Sequence, residues 1–493
     1  MRLRFLGHEY KYAVEQMMIH LFPEERPIYG EAVGEQALSA EVRLTHGARY
    51  STAVTILYDA GKQFRGTARI ARPDPDDMRE YSRLMQKIIR FSFFRAATAA
   101  TGVIPPWGAL SGVRPAKRAT RLLKAGQSPK QVRRILEREY QVSPTRAALG
   151  VDTACIGLAT KASLEPKDIC LYIGIPFCPT RCAYCSFVSQ DVHRSGHLIA
   201  PFLDALSTEI DATASVVRNL GLRVVAVYIG GGTPTTLSAA QLQRLTGMVS
   251  DAFDLRHLRE YTVEAGRPDT VDLEKLRILR AAGITRISVN PQSMEDNVLQ
   301  AIGRGHTAAE VADAVEMVKT VGFPVLNMDL IAGLPEDTLD GFKRTLTQAI
   351  RFGAENITVH TLARKRGTQV ALDQTKAPSA TVVGEMLEFA HHALREAGYV
   401  PYYLYCQKYT AGGFENVGWC KPRTESLYNI AIMEEFCSAI SLGGGASTKL
   451  VSPSSEHIAR IFNAKYPYEY IEGIDKILVS KDEITTFYAQ EGF

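Results

Sequence analysis

The sequence predicts an α/β protein with a parallel sheet, and three observations carry that prediction. From about residue 166, apolar runs suited to buried strands recur: CLYIGI, VVAVYIGG, YTVEAG, RISVN, VLNMDLIAG and NITVHTLA. Stretches of helical periodicity lie between them, AAQLQRLTGMVSDAF and DLEKLRILRAAG among them. Alternation of this kind makes successive strands parallel through right-handed crossovers and places function at their carboxyl ends. Six strands suit either a partial barrel or an open doubly wound sheet, and periodicity alone does not choose between the two.

The elements before this region predict a small α+β domain over residues 1–165. Val14, Met17, Met18, Leu21 and Phe22 share one helical face, and RYSTAVTILY and QFRGTARIA read as a hairpin joined by Asp59-Ala60-Gly61-Lys62. A long helix follows, with Tyr81, Leu84, Met85 and Ile88 at core spacing. In GVRPAKRATRLLKAG, Pro115 occupies a first helical turn, and Arg114, Lys117, Arg118 and Arg121 form a basic stripe. That stripe is either a solvated face or a docking surface for an anionic partner, such as a polycarboxylate or RNA phosphate. Residues 166–370 hold the alternating region. Residues 371–493 form a less regular extension, with one amphipathic helix, EMLEFAHHALREAGY, a strand, YVPYYLY, and the glycine-rich AGGFENVGW and SLGGGAST.

Composition bounds the function. The chain has 493 residues, 46% hydrophobic and 22% charged, enough for a large core. Its 57 basic and 53 acidic side chains leave +4, too little for a global field that draws nucleic acid. The N-terminal MRLRFLGHEYKYAVEQ has no apolar core with a cleavage site, and no stretch reaches the roughly 20 apolar residues of a membrane helix. A soluble cytoplasmic protein is expected, with neither membrane nor nucleic acid as partner.

The chemistry concentrates in FCPTRCAYCSF, directly after the first strand of the alternating region. Cys178, Cys182 and Cys185 are three of eight cysteines in the chain. A reducing compartment disfavours a disulfide, and structural zinc asks for four ligands, often as two separated pairs. His193 and His197 follow in DVHRSGH, which reads as a solvated loop. Three thiolates on one loop fit a 4Fe–4S cluster that leaves one iron open for a small molecule. Cys155, Cys170, Cys406, Cys420 and Cys437 read as ordinary thiols, because their spacings match no ligand pattern. A second feature, Gly230-Gly231-Gly232-Thr233-Pro234-Thr235, ends the next strand, where glycines let a backbone approach a ligand and Thr233 adds a hydroxyl.

CPTRCAYC, with LYIGIPF before it and YIGGGTPT after it, resembles the radical S-adenosylmethionine (SAM) superfamily. IPFCPTRCAYCSF, GGGTPT, SVNPQSM, AIGRGHT and MDLIAGLP resemble its oxygen-independent coproporphyrinogen III dehydrogenases (oxidases) in order and spacing. GVRPAKRATRLL and FENVGW…ESLYNI…GGGASTK resemble the HemZ-like branch in particular. The resemblance implies a partial (β/α)6 barrel with a small N-terminal α+β domain and a C-terminal extension over the active site. It implies that Cys178, Cys182 and Cys185 bind the cluster, whose open iron takes SAM, with Tyr172 and Tyr184 beside it. Gly231, Gly232 and Thr233 would hold the methionine end of SAM through backbone and hydroxyl hydrogen bonds. Glu264 matches an acidic SAM ligand, Gln292, Arg304 and Asp329 match further nucleotide and substrate positions, and Ala363 would line the pocket by its backbone. Glu264 and Asp329 also suit helix caps, and Arg304 a surface position.

The activity implied is oxidative decarboxylation of porphyrinogen propionates to vinyl groups by a 5′-deoxyadenosyl radical, without oxygen. No side chain is singled out as the catalyst itself. The partners implied are an anionic tetrapyrrole and a reduced electron donor such as flavodoxin or ferredoxin. The basic stripe and Lys365-Arg366 would meet the substrate's carboxylates. Phe187 stands where the best-studied branch has a fourth cysteine, and that branch's N-terminal tyrosine-and-proline motif is not evident. Both departures also occur in related heme chaperones, so heme binding is one alternative. Another radical SAM reaction on a tetrapyrrole, such as methylation, is a second. RNA methylthiolation would ask for an RNA-binding appendage, which the sequence does not offer.

Overall fold

Local sequence signals set the ends of many elements. In the computed structural model, which describes residues 1–30, 37–363, 377–407, 410–455 and 457–492, Ser128, Ser238 and Thr307 each cap a helix and receive a reciprocal bond from Gln131, Gln241 and Glu310. Ala60 and Gly61 both take positive φ, the turn that a two-residue hairpin requires. The chain forms two compact units. One holds residues 1–151 with 406–414, the other 152–405 with 415–493.

The first unit contains a five-stranded sheet in the order β2-β1-β3-β4-β5, with β1 Arg2–Leu6, β2 Ile28–Tyr29, β3 Ser39–His46, β4 Tyr50–Asp59 and β5 Lys62–Ala71. Helices Lys11–Leu21 and Met78–Thr101 cover one face. Gly66 admits the second helix so closely that a Cβ there would strike the backbone of Ser92 and Ala96. Within the expected basic stripe Lys117 and Arg121 are exposed, Arg114 and Arg118 half-buried, and the Arg118 guanidinium lies 5.5 Å from the centre of the Tyr140 ring.

In the second unit the six expected strands are β6 Asp168–Ile175, β9 Arg223–Gly231, β10 Glu260–Glu264, β11 Arg286–Ser288, β12 Val325–Ala332 and β13 Asn356–Thr361. They run parallel in sequence order, each linked to the next by at least one helix. The short β7 Phe177–Cys178 and β8 Gln190–Asp191 pair beyond the end of β6. The C-terminal stretch is more regular than its glycine-rich sequence suggests. β14 Val400–Cys406 and β15 Glu415–Cys420 extend the sheet beyond β13. β16 Ser438–Gly443, β17 Ser447–Val451 and β18 Ile458–Phe462 extend it beyond β6. β16 is parallel to β6, which makes it a seventh parallel strand.

Register decides what the strands present. Tyr172 pairs with Tyr228, Thr262 with Tyr228, Glu264 with Ser288, Ser288 with Asn327, and Asp329 with Thr358. Because side chains alternate along a strand, Tyr172, Tyr228, Glu264, Asp329 and His360 fall on one face. Their neighbours Leu171, Ile173, Val227, Ile229, Val263, Leu330 and Val359 face the other way and are buried. One face of the six strands is thus polar and aromatic, the other apolar. Among the described residues no helix is long and apolar enough to cross a membrane.

Candidate functional site

The cysteine loop begins where β6 ends and is fastened at several points. Cys178, Cys182 and Cys185 are half-buried free thiols. Ala183 donates its amide to the Ile302 carbonyl (3.0 Å), and Cys185 to that of Cys182 (3.1 Å). Ala183 and Tyr184 rest on an apolar cluster of Val298, Leu299, Ile302, Ile331, Leu334 and Leu362. The Thr233 hydroxyl donates to Cys178 Sγ (3.5 Å), and Arg267 Nη1 donates to Cys182 Sγ (3.7 Å). Burial pushes the Cys178 and Cys185 thiols up, and the Thr233 and Ser189 hydroxyls partly offset this at Cys178. The neighbouring thiols also raise these two, so the three sulfurs share one electrostatic environment. Such thiols become ligands when a metal takes the place of the proton. Among the described residues no group of His, Cys, Asp or Glu is placed to hold a single metal ion. A four-iron cluster, bound by one thiolate per iron, makes no such demand, and the three soft donors on one loop fit it. His193 and His197 are exposed, but they lie on the short helices Val192–Ser195 and Gly196–Leu198 and not on the loop expected of DVHRSGH.

The glycine loop after β9 is built into the sheet. Gly232 donates its amide to the Ile175 carbonyl (2.8 Å) and Thr233 to that of Phe177 (2.7 Å). Gly231 bonds the Glu264 carboxylate through its backbone. All three amides are therefore spent inside the protein, so the loop would meet SAM through carbonyl oxygens and the Thr233 hydroxyl. That narrows the expectation of a backbone cradle to its acceptor side. Gly232 has no alternative, because a Cβ there would lie 2.5 Å from the Phe177 oxygen and 2.8 Å from that of Ile175.

Of the expected site residues, the fold brings Tyr172, Glu264 and Asp329 to the polar face, together with three that the sequence did not single out. Tyr172, Tyr228 and Tyr428 form a stack, with ring centres 6.1, 6.2 and 4.5 Å apart. The Tyr228 hydroxyl donates to Glu264 Oε1 (2.5 Å). Burial pushes the Glu264 carboxyl up to about 7; the Tyr228 bond lowers it and the charge of Asp329 raises it. Asp329 goes the other way. Burial raises it, but His360, Asn327 and Thr358 outweigh that and hold it below the usual carboxylate value. His360 Nε2 lies 3.7 Å from Asp329 Oδ2, and Asn327 Nδ2 donates to Asp329 Oδ1 (3.0 Å). Two nearby acids whose ionisation is pushed in opposite directions, Glu264 up and Asp329 down, are what acid–base or ammonium-binding chemistry can use. Neither caps a helix.

The remaining expected residues take structural positions around this face. Arg304 is buried and not a surface arginine. Its Nη1 donates to the carbonyls of Gly266 (2.9 Å) and Asn290 (3.1 Å), and its Nη2 to the Tyr184 hydroxyl (2.9 Å). It ties the cysteine loop to the ends of β10 and β11. Gln292, at positive φ, bonds β12 through its backbone, its amide to Asp329 and its carbonyl from Ile331. Ala363 is half-buried just past β13, and Lys365-Arg366 lies outside the described residues. Cys170 and Cys437 bring their sulfurs within 3.7 Å in an apolar cluster, whereas Cys420 packs with Tyr402, Tyr403 and Ile430. Tyr228 had a sequence signal in its alternation with Gly230, and His360 in being the one titratable residue of NITVHT. Tyr428 lies within ESLYNI, part of the branch resemblance, but its place beside Tyr172 and Tyr228 was not foreseen, since it comes from the helix Leu427–Glu434 far along the chain.

Parallel strands that end in a three-cysteine loop and a glycine loop, around a polar interior, define the radical SAM class. A family model for the Radical SAM superfamily matches residues 172–349. The chain accordingly uses a 4Fe–4S cluster and SAM. It is 37% identical over 399 residues, 80% of each chain, to the oxygen-independent coproporphyrinogen-III oxidase-like protein HemZ of Bacillus subtilis (strain 168). The protein belongs to that family. It is also 33% identical over 307 residues to the heme chaperone HemW of Haemophilus influenzae, 62% of this chain and 76% of the relative. The structure of coproporphyrinogen III oxidase HemN from Escherichia coli aligns over 65% of this chain and 72% of its own, with TM-score 0.51 and 24% identity, a likeness of fold.

Proposed function

We propose that this protein carries out the oxygen-independent oxidative decarboxylation of coproporphyrinogen III propionates to vinyl groups, giving protoporphyrinogen IX, in the cytoplasm. The observation that carries this reading is the similarity to HemZ over four fifths of both chains. The polar face beside the cysteine loop supports it, because it offers a place where a radical is made and used away from bulk water.

In this reading Cys178, Cys182 and Cys185 hold the cluster. With SAM bound there, the site would supply radical chemistry that takes a hydrogen atom from a propionate side chain, which then loses carbon dioxide and passes one electron to an acceptor. Glu264, near its midpoint at neutral pH, ionises against the SAM ammonium or accepts from a ribose hydroxyl. Thr233 and the carbonyls of Gly231 and Gly232 face the methionine end. Tyr184, held by Arg304, packs beside the cluster. Asp329 and the His360 imidazole beside it present paired polar groups to the nucleotide or substrate, and the tyrosine stack gives a flat surface of the kind a tetrapyrrole favours. Gln292 and Ala363 border the pocket by their backbone. The substrate's carboxylates pair with arginine and lysine, for which the Lys365-Arg366 pair is a candidate from the sequence. A reduced flavodoxin or ferredoxin supplies the electron.

Heme binding is the second reading. The HemW relatives favour it, as does Phe187, which is 65% exposed on the cysteine loop at the position of a fourth cysteine in the best-studied branch. One anaerobic experiment separates the two: reconstituted protein, SAM, reductant and coproporphyrinogen III, with porphyrins resolved by chromatography. Tri- and dicarboxylate products that vanish with Cys182→Ala are expected. SAM cleavage without those products overturns the proposal, and tight heme binding under the same conditions then favours the chaperone.

A further inference from the structure

Arg267 has no part in the assignments above, yet its guanidinium is among the most constrained groups near the cysteine loop. It follows the end of β10 in the sequence EAGRPDT, and its side chain is 4% exposed. Nε and Nη2 donate side by side to the two carboxylate oxygens of Asp269, each at 3.1 Å. Nη1 donates to the Thr180 hydroxyl at 3.0 Å and approaches Cys182 Sγ at 3.7 Å. Thr180 in turn reaches the Gly303 carbonyl, so the loop is fastened on both sides of Arg267. The guanidinium also acts electrically on Cys178, which it lowers. His306, 3.9 Å from Asp269, is held neutral by burial, with its pKa lowered to about 4 by that and by Arg304 and Arg267, so it adds no charge.

A buried guanidinium is a permanent positive charge, and the bidentate Asp269 fixes its orientation. The bonds that the guanidinium makes run to Asp269, Thr180 and Cys182, so it is directed at the cysteine loop. A donor to a cluster ligand stabilises the more negative, reduced state and raises the reduction potential. We infer that Arg267 is a positioning residue for the cluster: its guanidinium, oriented by Asp269, donates to the Cys182 thiolate and makes the one-electron reduction of the cluster easier. This rests on the assignment of Cys178, Cys182 and Cys185 as cluster ligands.

The test is a redox titration of reconstituted protein followed by electron paramagnetic resonance, without substrate, alongside iron and sulfide content. Arg267→Gln is expected to lower the ratio of reduced to oxidised cluster at a fixed potential about tenfold, equivalent to about 59 mV for one electron. Arg267→Lys, which keeps the charge but loses the fork, is expected to fall between this variant and wild type. A fully loaded Arg267→Gln protein with an unmoved midpoint overturns the inference. Should that variant not retain its cluster, Arg267→Lys decides, because it keeps the charge but loses the fork held by Asp269, and it should make reduction about threefold less favourable at the same potential. A midpoint that stays put or moves the other way in a loaded Arg267→Lys protein overturns the inference as well. Failure of the underlying assignment looks different: wild type then holds no cluster, or Cys182→Ala keeps it.

Discussion

Two kinds of loop meet at the end of β6, and they are held by opposite means. The glycine loops that flank it, Gly230–Thr233 after β9 and Gly443–Gly445 after β16, are braced largely by backbone. Gly232 and Thr233 donate to carbonyls of the β6–β7 stretch, and Gly443 pairs with Gly174 in the strand register. The cysteine loop between them takes most of its restraint from side chains: Arg267 on Thr180 and Cys182, Arg304 on Tyr184, Thr233 on Cys178. Backbone bracing fixes where β6 ends and tolerates no added atom. Side-chain bracing leaves the sulfurs half-exposed and able to settle onto a cluster. The difference separates a scaffold from a ligand set.

If the comparison holds, the largest loss comes from Gly232→Ala. Its new Cβ meets two carbonyl oxygens and a carbonyl carbon within 3.0 Å, all backbone, so nothing flexible yields. More than about 4 kcal/mol of stability should be lost, or soluble folded protein altogether. Chemical denaturation read by circular dichroism checks this, and a variant as stable as wild type breaks the scaffold half of the comparison. Next is Lys481→Met. Glu209, fully buried on helix Ile199–Asn219, accepts from the Gly443 amide (2.8 Å), Asn463 (2.8 Å), the Tyr470 hydroxyl (2.5 Å) and Lys481 Nζ (2.5 Å). Removing the only cation in that set leaves a buried charge without its partner, at about 3–5 kcal/mol. The same denaturation series measures it; a loss under 1 kcal/mol would mean that the second glycine loop is not braced through Glu209.

Much of this arrangement was legible in the sequence, and the limits have physical causes. All six parallel strands were visible because one face of each is packed with buried aliphatic residues and helical stretches of a different period separate them. The cysteine and glycine loops were visible because their chemistry lies in residue type and close spacing. What was not visible depends on contacts between distant segments. Nothing in SLGGGAST says that it ends a strand parallel to β6, and Tyr428 joins Tyr172 and Tyr228 only through tertiary packing. Glu209 did leave a trace, as a lone carboxylate among Phe202, Leu206, Ile210 and Val217 on a helix face otherwise apolar. The role of Arg304 was half legible: its nearness to the site followed from the resemblance, but its use as a clamp on two carbonyls follows from burial alone.

The polar interior sharpens the comparison by pH. Glu264 is raised from its ordinary 4.5 to about 7, so the folded metal-free protein binds a proton that the unfolded chain gives up between those values. The stability this contributes is complete below about pH 4.5 and is lost as pH rises through 7. Glu264→Gln keeps the neutral form at every pH. The variant should therefore gain on wild type as pH rises from 5 to 8, by up to about 3 kcal/mol. Urea unfolding of the metal-free protein at several pH values reads this directly, and parallel curves would show that the carboxyl ionises normally.

The smallest effect belongs to the cysteine loop's outer edge. Phe187 is 65% exposed, two residues beyond Cys185. An aromatic that leaves most of its surface in water contributes little to folding, so Phe187→Ser should change stability by less than about 0.5 kcal/mol and leave cluster content intact. Cluster content is the informative readout, because it asks whether a loop held by side chains at Thr180, Cys182 and Tyr184 needs anything at its far end. Full iron and sulfide in Phe187→Ser would place all the restraint on the near side, with Arg267 and Arg304. A loss of iron at unchanged stability would instead put the Phe187 ring among the groups that keep solvent from the sulfurs, in addition to the backbone bond that Phe187 makes to Cys185.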